Sequence, residues 1–402
     1  MSSADHHPVA DWAASGAMAL TGRSDGPPLV SPGDPAGAVR RALAPFAELD
    51  GAPDIAVLGE RAALSGLGRR APWSCGGAFR LWPTRDGWWG ASLARPEDRD
   101  LVPALVEAAL ADGDDALAAW AATVTSAEAE ERGRLLGLPC ARTGAADRTR
   151  PGVLSTPGGR RAAIGDRPLV VDFTSLWAGP LCAHLLALAG ARVVKVESRT
   201  RPDGARRGPR AFYDLLHSGS AAVSVDFGAA ADREALRELV AGADLVLESS
   251  RPRALARLGL DAAALVASGV SWLSITARGR DEDAIGFGDD VAAGGGLVRE
   301  VDGVPVSCGD ALADPLSGTA AAAHALAALR AERAQLIDVS MHHVCVEAGG
   351  ELAPHEVVRR GDAWWVEWDG GAAPVAQPRA RTAVGRARDL GADDDAILGS
   401  RR

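Results

Sequence analysis

Lysine is almost missing from this 402-residue chain: Lys195 is the only one, Tyr213 is the only tyrosine, and methionine occurs three times. Arginine carries nearly all the positive charge, which reads as a coding bias toward Arg and says little about selected patches. The formal net charge of −10 excludes a broad basic face for nucleic acid, although a local group of arginines can still hold a phosphate-bearing small molecule. The five cysteines, at 75, 140, 182, 308 and 345, are scattered, with no C-x-x-C pair. Neither a disulfide framework nor a thiolate zinc site is expected, and the reducing cytoplasm is the expected compartment. No apolar run approaches the roughly 18 residues a membrane helix needs. The opening "MSSADHHPVADW" has no charged region followed by an apolar one, so neither export nor a membrane span is expected.

Several fingerprints are missing too. The turn "SLWAGP" has one glycine where a dinucleotide site needs a G-x-G-x-x-G set, so nicotinamide binding is poorly supported. Lys195 sits inside a strand pattern, not a phosphate loop, and no G-x-S-x-G elbow occurs. The histidine pairs 6/7 and 342/343 lack a third ligand at useful spacing; side by side on an expected strand they point apart, and no metal site is expected.

What is present is a clean alternation from Pro168 onward. The runs "LVVDFT", "VVKVES", "AVSVDF", "DLVLES", "WLSITA" and "LIDVS" are too apolar to be half solvated, which predicts parallel strands covered on both faces. Helical stretches such as "PLCAHLLALAG" and "ADREALRELVAGA" lie between them, the first with Pro180 near its start and Gly190 at its end. The fold class is therefore α/β: a doubly wound, Rossmann-like parallel sheet with a smaller α+β domain. The smaller part falls in residues 1–150, where "FRLWPTRDGWWGASLARP" reads as two strands around an Asp-Gly turn. Residues 151–167, rich in Gly, Pro and Arg, read as a surface linker, 168–350 as the Rossmann-like domain, and 351–402 as a return segment whose polar end lies along the outside or frays.

One acid stands out. Asp314, in "GDALADPLSGTAAAAHALAALRAE", precedes a small-residue helix expected from about Thr319, and a fainter version, "GDPAGAVRRALAPFAEL", carries Asp34 near the start. An aspartate there can be a turn or capping acid. It can also be a nucleophile: a free carboxylate is ionised at neutral pH, small neighbours admit a thioester, and helix N-terminal amides can steady an oxyanion. Spacing alone leaves both open.

"VVDFTSLWAGPLCAHLLALAGARVVKVES" resembles the opening of the family III CoA transferases, the group that includes carnitine-CoA transferase and α-methylacyl-CoA racemase. "DLVLESSRPRALARLGLD", "WLSITARGR", "GDDVAAGGGL", "ALADPLSG" and "AQLIDVSMHHVCVE" follow in family order over about 165 to 350. The first 150 residues resemble a second, partial copy that begins midway. The resemblance implies that Asp314 is the catalytic residue, forming a mixed anhydride and then a thioester with coenzyme A. It implies that CoA, a substrate and not a resident cofactor, lies near Trp177, Ala178, Gly179, Ser198, Arg199, Ser249, Ser250, Arg251 and Arg257. Acyl-CoA and a carboxylic acid are the expected partners, and a homodimer the expected assembly.

Departures from the family pattern temper the chemistry. The racemase branch has Gly-His-Asp where this chain has Gly288, Asp289 and Asp290, so a carboxylate would replace the histidine base. The usual Asn-Phe is Ser249-Ser250, and "HSGSAA" at 217 to 222 lacks the usual cations. The alternatives to CoA transfer are a non-catalytic homologue that binds a CoA ester, and a racemase or isomerase using Asp289 or Asp290 with Asp314. Asp34, with no nucleotide-binding half of its own, is expected to be a turn residue.

Overall fold

The computed structural model describes residues 6–107, 113–144, 147–250 and 253–399. A small antiparallel sheet comes first, from β1 (Phe79–Pro83), β2 (Trp88–Ser92) and β3 (Cys140–Arg142), with the β1–β2 hairpin turning at the expected Asp-Gly. Its tryptophans close a core of their own: Trp82 and Trp89 are fully buried with Leu105 and Leu117.

The principal sheet holds β4 (Val153–Arg160), β5 (Leu169–Asp172), β6 (Arg192–Ser198), β7 (Ala221–Val225), β8 (Leu245–Glu248) and β9 (Ser271–Thr276). A hairpin, β10 (Val298–Val301) and β11 (Val304–Ser307), precedes β12 (Arg333–Ser340), which returns to it. The order is β4-β12-β9-β8-β5-β6-β7. All pairings are parallel except that of β4 with β12. Counted from β5, the parallel strands run 6-5-4-1-2-3, the doubly wound Rossmann order, whose crossover reverses between β5 and β8. All six apolar runs form these strands. Alternate residues of β5 enter different cores, Val170 on one face and Val171 on the other, which is why the runs show no polar alternation.

Residues 151–167 are not simply a linker. Eight of them form β4, the antiparallel edge strand. The pattern hides it because β4 has one neighbour and a mostly exposed surface, and an edge position tolerates Pro157. Its glycines have a packing reason: a Cβ on Gly158 would lie 2.6 Å from the Val266 carbonyl oxygen, in the helix Ala262–Ser268.

The helices that matter below are α1 (Pro35–Leu43), α2 (Glu60–Ser65), α3 (Ala178–Leu188), α4 (Gly288–Gly294), α5 (Ala313–Arg330) and α6 (Met341–Ala348). His342 and His343 lie in α6, not on a strand, because β12 ends at Ser340, whose hydroxyl caps the helix by accepting from the His343 amide. A third antiparallel sheet is built from β13 (Glu356–Arg360), β14 (Ala363–Trp368) and β15 (Gly371–Pro374). The polar tail after it is pinned instead of fraying: Arg381 grips Glu60, and the Asp393 and Asp394 carboxylates accept from the amides of Ala222 and Ser224 on edge strand β7. Among the described residues no helix is long and apolar enough to cross a membrane, and no group of three or more His, Cys, Asp or Glu could hold a metal ion.

Candidate active site

Helix α5 begins at Ala313, six residues before the expected Thr319, so Asp314 belongs to its first turn. Its carboxylate does not cap α5, whose N-cap, Leu312, makes no side-chain capping bond. It faces instead the backbone N–H of Ala178, the first residue of α3. The capping alternative fails for Asp314 and holds for Asp34, whose Oδ1 accepts from Gly37 N–H at 2.9 Å at the start of α1 and whose Oδ2 pairs with Arg41 at 2.9 Å.

Two acids, Asp289 and Asp310, act on Asp314, and a third, Asp290, lies beside Asp289. Asp289 Oδ1 accepts from Ala311 N–H at 3.0 Å, and the Ser74 hydroxyl lies near the same carboxyl. Asp290 caps α4 through Phe287 N–H at 2.9 Å and accepts from Ser92 Oγ at 2.7 Å. Asp310, fully buried, pairs with Arg61 and accepts from the Cys75 thiol at 3.3 Å. Gly288 leaves room for this crowding, because a Cβ there would run into Asp314 Oδ2 and the Ala311 carbonyl. Loss of solvent lifts three of the carboxyls, the buried Asp289 to about 6, the buried Asp290 to about 7 and the half-buried Asp314 to about 7. For Asp314 the Arg61 charge and the Ala178 amide oppose the rise, while Asp289 and Asp310 add to it. The cluster is thus poised to exchange protons near neutrality, where an unperturbed carboxylate is ionised.

A groove of about 360 Å³ opens at the carboxyl ends of β5 to β8, beside the crossover reversal. Phe173, Val196, Phe227, Leu255 and Leu258 give it apolar walls, and Ser175, Ser198, Arg201 and Ser250 supply polar groups. Asp314 is not part of its lining. The two are joined by the turn after β5: Ser175 lines the groove, and three residues on, Ala178 meets Asp314. Leu176, between them, holds the left-handed backbone at φ 71° and is anchored by its N–H to Asp203 Oδ1 at 3.1 Å. Below it, buried Lys195 donates to the Thr174 carbonyl at 2.7 Å and pairs with Asp203 at 3.0 Å, so the lone lysine of the chain braces this turn.

The residues expected around a nucleotide are only partly gathered. Ser198 and Ser250 line the groove, and Ser250 Oγ is buried without a partner among the described residues. Ser249 stands behind it, its hydroxyl accepting from Ser175 N–H at 3.2 Å. Trp177 is buried under Arg61 and against Phe212, and Gly179 lets α3 pass close to the Thr174 side chain, so with Ala178 they serve the Asp314 side. Arg199 turns away, its Nη2 3.4 Å from Asp232, and Arg257 is exposed outside the groove lining. Arg251 lies outside the described residues. The expectation placed no weight on Arg61, Ser74, Ser92, Asp310, Phe173, Arg201 or Phe227. Asp310 alone had a signal, as the second acid of "GDALADP"; the others come together only through folding.

Residues 168–363 match the model of CoA-transferase family III. A succinyl-CoA–D-citramalate CoA-transferase of Chloroflexus aurantiacus is 30% identical over 200 residues, which are 44% of this chain and 50% of that protein. A succinyl-CoA:mesaconate CoA-transferase of Haloarcula hispanica is 38% identical over 90 residues, 20% of this chain and 23% of its own. A solved hypothetical protein of Mycobacterium tuberculosis aligns at 27% identity and a TM-score of 0.46, over 53% of this chain and 66% of its own. The chain spans about half the length of the curated relatives it matches.

Proposed function

Because its residues 168–363 match the model of CoA-transferase family III, we propose that this chain moves coenzyme A between carboxylic acids, with Asp314 as the nucleophile. The observation that carries the reading is the Ala178 amide at the N-terminus of α3 facing a carboxylate that caps nothing on its own helix. Such a donor can steady negative charge on the oxygen that reacts. In this reading an Asp314 oxygen attacks the thioester carbonyl, the carbon–sulfur bond breaks, and CoA leaves as thiolate from a mixed anhydride. The thiolate then attacks the Asp314 carbonyl carbon, releasing the donor acid and leaving an aspartyl thioester. The acceptor carboxylate attacks that thioester and displaces the thiolate, giving a second anhydride. Attack of the thiolate on the acceptor's acyl carbon then forms the new acyl-CoA and frees Asp314.

The groove beside β5 to β8 is the proposed seat of the nucleotide end, with Phe173 and Phe227 against the base and Arg201 toward phosphate. CoA is a substrate here, and the chemistry requires no metal or redox group. Residues 1–150 are proposed as a worn partial copy, the cytoplasm as the compartment, and a homodimer as the assembly, which mass in solution tests. Purified protein incubated with a panel of acyl-CoA esters and then hydroxylamine or borohydride is expected to be modified at Asp314 and unmodified in Asp314→Asn. No adduct across the panel, with no exchange of labelled CoA, overturns the transferase reading; CoA binding without exchange then supports a non-catalytic binder.

A second reading, α-proton exchange, has one observation in its favour. Asp289 is a buried carboxyl lifted to about 6 whose charge is felt by Asp314, a pairing suited to holding and returning a proton. Deuterium appearing at the α-carbon of an acyl-CoA in heavy water, lost in Asp289→Asn, would select it.

A further inference from the structure

Residues 1–167 lie outside the family match, yet one of their side chains reaches the middle of the site. Arg61 is the second residue of α2. Its Nε donates to Asp310 Oδ2 at 2.9 Å and its Nη2 pairs with Oδ1, a two-point contact that fixes the guanidinium plane. Its Cζ lies 5.3 Å from the centre of the Trp177 ring. These partners sit on different segments. Asp310 is four residues before Asp314, in the loop that enters α5. Trp177 directly precedes Ala178, whose N–H faces the Asp314 carboxylate. One guanidinium therefore links the loop carrying the acid to the turn carrying its donor. Arg61 is itself held: the preceding residue, Glu60, is gripped by Arg381, and Gly76 packs so closely that a Cβ there would stand 3.3 Å from Nη2.

We propose that Arg61 is the positioning residue of this site, bridging Asp310 to Trp177 so that Asp314 meets Ala178, and supplying the positive charge that keeps Asp314 available as a nucleophile. Its catalytic meaning rests on the transferase reading; the positioning does not. The groups facing Asp314 are Arg61 from α2, the Ala178 amide from α3, Asp289 from α4, Asp310 from the loop before α5, and the Cys345 thiol from α6. Arg61 is the cation of this set among the described residues, and burial with two acids works against it. A strut and a charge make different predictions. Removing either end of the Arg61–Asp310 bridge breaks the strut alike, but the two removals change the local charge in opposite senses.

The test is a titration of the full chain carrying 13C at its aspartate carboxyls, with the Asp314 resonance assigned by its loss in Asp314→Asn. The wild-type midpoint is expected at about 7. Arg61→Gln is expected to raise it by about one unit and Asp310→Asn to lower it, with Arg61→Lys between wild type and Arg61→Gln because it keeps the charge without the fork. If Arg61→Gln does not fold, Arg61→Lys and Asp310→Asn decide the matter by the same signs. Midpoints unchanged overturn the proposal, and midpoints rising together, as a strut without the charge would give, overturn its charge half. Single-turnover acylation by acyl-CoA at about pH 6 is the second arm, with Arg61→Gln about tenfold slower and recovering at higher pH. Midpoints shifted as expected in the variants, together with a wild-type protein that is never acylated, would sink the nucleophile reading and leave the role of Arg61 at Asp314 intact.

Discussion

Gly318 of α5 lies against Ala178 of α3: a Cβ on Gly318 would stand 2.5 Å from the Ala178 carbonyl oxygen. This crossing lets the Ala178 amide reach Asp314, one helical turn before Gly318. Gly318→Ala improves helix propensity by up to about 1 kcal/mol, but the added methyl must push the helices apart. The net expectation is a loss of about 1–3 kcal/mol, seen in thermal unfolding, together with slower acylation of Asp314.

The pH dependence of acylation follows from the Asp314 carboxyl. Only its ionised form attacks a thioester, and burial has raised it to about 7. The single-turnover rate is therefore expected to climb as pH rises through about 7 and then level off, where an ordinary aspartate would already be flat above about pH 5. A rate independent of pH between those limits would contradict the assignment.

Stability should respond to the neighbouring acid with the opposite trend. Asp290, fully buried and lifted to about 7 in the folded chain, binds its proton more tightly than it does when unfolded. Its contribution is complete below the unfolded value near 3.8 and is lost as pH rises through about 7. Asp290→Asn keeps an oxygen for Ser92 and Phe287 but cannot ionise. The variant is expected to gain stability over wild type as pH is raised from about 4 to about 8, measured as the difference between urea midpoints.

Arg381 makes a third case. It donates to Glu60 Oε1 at 2.6 Å and Oε2 at 3.0 Å, and to the Gly51 carbonyl at 2.9 Å. Glu60 is 2% exposed, so Arg381→Ala strands a buried charge, at a cost of about 3–5 kcal/mol. The double variant with Glu60→Gln should recover part of that loss in denaturant unfolding. Because Glu60 adjoins Arg61, Arg381→Ala alone should also loosen the Asp314 site.

For the groove, Ser250→Phe is expected to fill much of a cavity of about 360 Å³ and weaken CoA binding by about tenfold or more in calorimetry. Asp314 does not line that groove, so its titration should stay where it is in wild type.

The parallel strands, the Asp-Gly hairpin and the family resemblance beginning at about residue 165 were written locally, because a fully covered strand must be apolar on both faces and a tight turn needs particular residues. Asp314 was legible as a candidate for the same local reason: an acid among small residues. Its role was not, since Asp34 has the same neighbours and caps a helix; the difference is which backbone N–H comes within reach. Strand β4 escaped notice because an edge needs no apolar repeat, and Arg61 because nothing in its neighbourhood marks it. A sequence fixes short-range preferences of chain and solvent. The meeting of Arg61, Asp310, Trp177 and Asp314 depends on which distant segments exclude water together, and that only the packed tertiary structure decides.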